Sequence, residues 1–159
     1  MRHTRQTATK AGCTNYLFYD QSIVEKDNWD TAEFKKLTQV QGDLGIRMDA
    51  AFTHVLQHEE KAVIIGSDCP QISEDIITDA FDRLELADVV VGPTLDGGYY
   101  LLGMKQLHSD LFHNMAWSTE EVYNETVERI KSLGLMYSVL PTLSDMDNID
   151  DLNKFPEFR

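Results

Sequence analysis

Apolar and polar positions along the chain alternate between short unbroken runs and helical repeats. Residues 14–20, Thr-Asn-Tyr-Leu-Phe-Tyr-Asp, gather aromatic and apolar side chains over strand length, and residues 34–40 repeat the pattern more weakly. Both segments are predicted strands. From Ile46 onward Met48, Ala51, Phe52, Val55 and Leu56 recur at the spacing of one helix face, and residues 62–66 follow as an unbroken apolar run. That pair predicts a helix and then a buried strand. Ser73 is placed to cap a second helix, with Glu74 and Asp75 favourable against its dipole and Ile76, Ile77, Ala80, Phe81 and Leu84 on its buried face. Residues 87–92 and 99–103 read as strands separated by a glycine-rich turn, and residues 135–140 as a last strand ahead of Pro141. Between them, Ser118 as N-cap and Glu121 three residues on form a capping box, with Trp117 stapled to Val122. A helix is predicted from there to Leu133, closed by Gly134 in the left-handed region.

Strands alternating with helices in this way predict an α/β fold: three layers, α/β/α, around a mostly parallel sheet. At 159 residues the chain suits one domain, residues 1–159, with no repeats or linkers inside it. In such sheets ligands bind beyond the carboxyl ends of the strands, so the loops after strands are where function is expected.

Composition narrows the choices. Hydrophobic residues make up 42% and charged residues 26% of the chain, which excludes disordered and collagen-like classes. Lys and Arg number 14 against 27 Asp and Glu, a net charge of -13 that repels nucleic acid and anionic membrane surfaces. An anionic ligand would need something positive to bridge it to such a chain, and a divalent cation is the simplest candidate. No apolar run reaches the roughly 18 residues of a membrane span, and Met1-Arg-His-Thr-Arg lacks a signal-peptide core, so the cytoplasm is the expected location. Cys13 and Cys69 are far apart and belong to no Cys-x-x-Cys pair, which predicts free thiols.

Three loops carry candidate chemistry. Asp68 follows the apolar run 62–66 directly, a rigid position suited to ligating a hard cation such as Mg²⁺; the alternative is a turn ahead of the Ser73 helix. Asp96, Gly97 and Gly98 follow the next strand, and glycines there let backbone approach a ligand closely, although Asp-Gly is also an ordinary hairpin turn. After the last strand come Asp145, Asp147, Asp150 and Asp151. No glycine or closing Glu stands where a calcium loop requires one, which rejects an EF-hand. Asn148 as a cap, with Asp150 and Asp151 in a first helical turn, accounts for the last two acids and leaves Asp147 as the residue of interest. His54 and His58 have the i, i+4 spacing of a zinc pair but no third ligand, and are expected to face solvent. A Gly-x-Ser-x-Gly nucleophile, a Walker lysine loop and a Gly-x-Gly-x-x-Gly are all absent, which removes hydrolase, kinase, ATPase and dinucleotide readings.

Five segments in this order carry a resemblance: Gln41-Gly-Asp-Leu-Gly-Ile-Arg-Met48, Gly66-Ser-Asp-Cys-Pro70, Gly92-Pro-Thr-Leu-Asp-Gly-Gly-Tyr-Tyr-Leu-Leu-Gly103, Ala116-Trp-Ser-Thr119 and Asp145-Met-Asp-Asn-Ile-Asp-Asp-Leu152. They resemble the DUF2064 family of bacterial, glycosyltransferase-A-like proteins over residues 14–152. The resemblance implies a nucleotide-diphospho-sugar transferase fold, related to the molybdenum-cofactor and phospholactate nucleotidyltransferases. It also implies an enzyme that moves a sugar from a nucleoside-diphosphate sugar to an acceptor with a divalent metal, Mg²⁺ or Mn²⁺, as cofactor. By position Asp68 and Asp147 would hold the metal. Gln41, Gly42, Leu44, Gly45 and Arg47 would lie near base and ribose. Gly97, Gly98, Tyr99, Trp117 and Ser118 would line the sugar or acceptor side, and Asp96 would orient or deprotonate the acceptor.

Two departures from the family pattern bear on this. Asp68-Cys69-Pro70 has one acid where many glycosyltransferases carry Asp-x-Asp. The family also opens with an apolar strand and a Gly-containing basic loop that contacts the nucleotide phosphates, whereas residues 1–12 look like the end of the helix that follows them. Without that strand, residues 14–20 and 62–66 are expected to flank an open apolar seam. Truncation, completion by a partner chain and a protein that binds without catalysing are three explanations. The alternatives to sugar transfer are nucleotidyl transfer to a phosphorylated small molecule and a non-catalytic nucleotide-binding or assembly subunit. The open seam would favour pairing, so a homo-oligomer is a further expectation.

Overall fold

The computed structural model describes residues 2–67 and 69–144. The elements are α1 (Arg2–Lys10), β1 (Asn15–Tyr19), β2 (Phe34–Thr38), α2 (Leu44–Leu56), β3 (Ala62–Ile65), α3 (Glu74–Arg83), β4 (Val89–Pro93), β5 (Tyr99–Met104), a 3-10 turn (Ser109–Leu111), α4 (Val122–Ser132) and β6 (Tyr137–Val139). Two helix starts follow directly from side-chain chemistry. The Asp43 carboxylate accepts from the Ile46 amide at the head of α2, and the Ser73 hydroxyl accepts from the Ile76 amide at the head of α3.

The strands form two sheets. One is the parallel pair β1–β2; the other has the order β3-β5-β4-β6. In this second sheet β5 is antiparallel to both β3 and β4, and β6 is parallel to β4. The sheet is therefore mixed, and the mostly parallel arrangement expected from alternating strands and helices does not hold. The reason is local. The Thr94 amide donates to the Gly98 carbonyl at 3.0 Å, so the chain turns straight back into β5. A parallel connection would need a crossover of about a dozen residues, which this turn does not supply.

Both faces of the larger sheet are covered. On one, Val89, Val91, Leu102 and Met104 pack with Met48 and Phe52 of α2 and Ile130 of α4. On the other, Val90 and Leu101 pack with Ile77, Ala80 and Leu84 around α3. The valine run of β4 supplies both faces by simple alternation, and all three valines are fully buried. β1 and β3 differ. Every residue of β1 is only half-buried, and so are three of the four in the wholly apolar β3.

The helix before β6 starts later than the capping box predicts. Ser118 has φ +64° and makes no cap; α4 begins at Val122, preceded by Glu121 without a side-chain cap. An N-cap needs extended backbone, and a serine in the left-handed region cannot supply it. Gly134 does close the helix with φ +69°. His54 also differs from expectation: its ring stands edge-on to Tyr16 and Phe18 of β1 instead of facing solvent. Among the described residues no disulfide joins Cys13 and Cys69, and no helix is long and apolar enough to cross a membrane.

Candidate functional site at the strand ends

The predicted nucleotide loop is organised by Arg47. Its Nη1 donates to the Asp20 carboxylate and to Gln39 Oε1 (2.9 Å), and its Nε donates to the Gly42 carbonyl (2.9 Å). Asp20 follows β1 and Gln39 follows β2, so one guanidinium on the first turns of α2 gathers the carboxyl ends of both strands. The fork of donors on a planar cation makes this three-way tie possible; an ammonium would offer a single point. Gln41 and Leu44 are exposed beside it. Asp20 and Gln39 belong to none of the predicted site motifs, because the predicted strands 14–20 and 34–40 run through them whereas β1 ends at Tyr19 and β2 at Thr38.

Gly45 and Trp117, assigned by resemblance to opposite sides of the ligand, lie against each other. A Cβ on Gly45 would stand 2.7 Å from the Trp117 ring and 2.6 Å from the Phe112 carbonyl. The glycine is what lets the turn containing Trp117 and Ser118 pack on the first turn of α2. Trp117 Nε1 is buried against Gly45 and has no hydrogen-bond partner among the described residues.

Asp96 is exposed, and its carboxylate accepts from the Thr94 hydroxyl and from the Gly98 amide at 3.2 Å. It closes its own turn, the role an Asx turn gives any aspartate in this position. Gly97, with φ +90°, would place a Cβ 2.0 Å from the Glu120 carbonyl oxygen, and its own carbonyl accepts from the Tyr123 amide at 2.8 Å. The close approach that the glycine permits is thus to the turn ahead of α4. Tyr99 packs against the core, its hydroxyl 3.9 Å from the Met48 sulfur, and burial pushes its phenol well above the ordinary value.

Asp68 and Asp147 lie outside the described residues. Their neighbours are brought together: the Ser144 amide donates to Gln71 Oε1 at 2.8 Å. Leu143 is bonded to the β4 end in both directions, its amide donating to the Pro93 carbonyl and its carbonyl accepting from the Leu95 amide, both at 3.0 Å. The Tyr100 hydroxyl adds a bond to the Pro141 carbonyl at 3.0 Å, and burial pushes its phenol up to about 12, so it remains a donor at neutral pH. The segments leading out of β3 and β4 are therefore each joined to the segment leading out of β6. Among the described residues no three His, Cys, Asp or Glu side chains form a cluster that could hold a metal.

A mixed α/β sheet with its loops gathered in this way has a close counterpart among solved structures. A crystal structure from Desulfovibrio desulfuricans G20, named a "putative nucleotide-diphospho-sugar transferase", superposes with a TM-score of 0.85 at 28% identity, over 96% of this chain and 71% of that one. The fold is thus that of the nucleotide-diphospho-sugar transferase class. The family model described as "Uncharacterized protein conserved in bacteria (DUF2064)" matches residues 3–119, and the chain belongs to that family. No curated protein matches it.

Proposed function

We propose that this chain binds a nucleoside-diphosphate sugar at the gathered strand ends and transfers the sugar to a small-molecule acceptor. The observation that carries the reading is the likeness, at TM-score 0.85, to the protein named for that chemistry. The Arg47 guanidinium supplies positive charge beside the loop at 41–47, where a diphosphate would compete with Asp20 for its donors. Trp117, packed on Gly45, holds the turn at 116–119 against the head of α2 beside the loop at 41–47. Asp96 is held by its turn with a carboxylate facing outward, and we assign it the orientation or deprotonation of the acceptor hydroxyl.

Asp68 and Asp147 are the proposed ligands of a divalent cation, supported by the Gln71–Ser144 bond between their flanking segments. Such an ion neutralises charge that develops on a departing nucleoside diphosphate. It would also reconcile a net charge of -13 with an anionic substrate.

Calorimetric titration with a panel of nucleotides and sugar nucleotides, with and without Mg²⁺, tests this. The expected result is Mg²⁺-dependent binding of a sugar nucleotide, weakened at least ~10-fold in both Asp68→Asn and Arg47→Ala. A preference for triphosphates would instead indicate nucleotidyl transfer. Binding indifferent to Mg²⁺ and to Asp68→Asn would indicate a non-catalytic subunit.

A further inference from the structure

We propose that Asp49 is a positioning residue for the turn at 116–119, and that it holds Trp117 through a water shared between its carboxylate and the indole N–H. Asp49 lies on α2 one turn beyond Gly45, and Phe52 follows three residues later on the same face. Both of these neighbours touch the segment that leads to Trp117. A Cβ on Gly45 would stand 2.6 Å from the Phe112 carbonyl and 2.7 Å from Trp117 Nε1. The Phe52 ring stacks on that of Phe112 with centroids 5.8 Å apart. Asp49 therefore faces the seam between α2 and residues 112–117.

Two side-chain atoms in this seam, Asp49 Oδ1 and Trp117 Nε1, are buried without a hydrogen-bond partner among the described residues. One is an acceptor and the other a donor, and each is costly to leave unmet. Helix side chains lean toward the amino end, so the Asp49 carboxylate reaches back over the turn of Gly45, where the indole nitrogen lies. The polar neighbours of Asp49 on α2 are engaged elsewhere: Arg47 with Asp20 and Gln39, and Thr53 with the Asp49 main-chain carbonyl. No direct bond joins carboxylate and indole, and a water that accepts from the indole and donates to the carboxylate satisfies both. The Phe112 carbonyl beside the same nitrogen gives that water a second acceptor, for a total of about three partners, the usual number for a buried water. The turn held in this way stands between the head of α2 and Gly97, whose Cβ position meets the Glu120 carbonyl. Asp49 thus fixes Trp117 and Ser118 between the loop at 41–47 and the Asp96 turn. Its bearing on sugar transfer rests on the proposed function, whereas the indole N–H reports the turn with no substrate present, so failure of one is distinguishable from failure of the other.

The chain has two tryptophans, so its nuclear magnetic resonance spectrum carries two indole N–H signals, and Trp29→Phe identifies the one from Trp117. In the unmodified chain the Trp117 N–H should show cross-relaxation to water with the sign of a molecule held on the protein. Its hydrogen exchange should quicken at least ~5-fold in Asp49→Leu, which removes the acceptor and keeps side-chain bulk. In Asp49→Asn it should stay within ~2-fold of the parent, because the amide oxygen still accepts. Amides of β4 report global stability, and the Trp117 rates are read relative to them. Absence of held water at the Trp117 N–H would overturn the proposal, whatever the variants do. So would equal exchange in Asp49→Leu and the parent, or equal quickening in Asp49→Leu and Asp49→Asn, which would mark a loss of charge or packing instead of a lost acceptor.

Discussion

Gly97 shows how one residue joins two loops of the site. Its φ of +90° is open only to glycine at low cost, and the 2.0 Å approach of a built Cβ to the Glu120 carbonyl leaves no room for a methyl group. Gly97→Ala is expected to destabilise the fold by about 2–4 kcal/mol, combining backbone strain with displacement of the turn ahead of α4. Urea denaturation of the purified variant measures this; a loss under ~0.5 kcal/mol would show that the two turns are not in contact. Gly98 is different, since a Cβ there meets the Thr94 hydroxyl at 3.2 Å and has φ outside the left-handed region, so adjacent glycines in one motif do unequal jobs. The sequence leaves both glycines open to ligand approach or to an ordinary hairpin turn. What it could not contain was the partner, Glu120, which the fold brings to Gly97.

Elements built from near neighbours were legible in the sequence, and those decided by distant contacts were not. Ser73 with its acidic first turn and Gly134 at the end of α4 act through residues a few positions away, and the apolar runs of β3 and β4 are visible in composition alone. The Ser118–Glu121 box has the same local form, but Trp117 is drawn against Gly45, and the turn that results puts Ser118 at φ +64°. Ser118→Gly should therefore leave stability unchanged or raise it by up to ~1 kcal/mol, whereas loss of a true N-cap serine would lower it by a few tenths. Thermal unfolding distinguishes the two signs. The loop between β1 and β2 offers a pH-dependent case. Asp27 accepts from Lys36 Nζ at 2.8 Å, from the Tyr19 hydroxyl and from the Trp29 amide, and these bonds, the Lys36 bond foremost, lower its pKa from 3.8 to about 2. A depressed carboxyl stabilises fully above its unfolded value near 4 and loses that contribution as pH falls through about 2. Fluorescence of Trp29, which stands edge-on to Phe34 at 4.9 Å, should accordingly change between pH 4 and pH 2 and be much less pH-dependent above pH 5. In Asp27→Asn the change should disappear.

At the scale of the whole molecule, the strands of the larger sheet have unequal protection although they are alike in apolar content. β4 is flanked on both edges and buried throughout, while β3 is flanked by β5 alone and half-exposed. Amide exchange at the β3 positions that point away from β5 should be at least ~100-fold faster than at the β4 positions, because an unpaired edge needs no opening before it exchanges. Uniform slow exchange across both strands would mean that this edge of β3 is covered in solution. The site is divided between the two sheets. Arg47, Asp20 and Gln39 bind the β1–β2 ribbon to α2, and the Asp96 turn, Trp117 and the Gln71–Ser144 pair belong to the larger sheet and its helices. That division has a consequence for affinity. An anion that draws the Arg47 guanidinium toward itself takes donors away from Asp20 and Gln39, and so unfastens the ribbon's tip from the body at the moment of capture. Tight anion capture and a firmly anchored ribbon are thus rival uses of a single side chain, and whatever braces the ribbon from its other side decides how far that rivalry is felt.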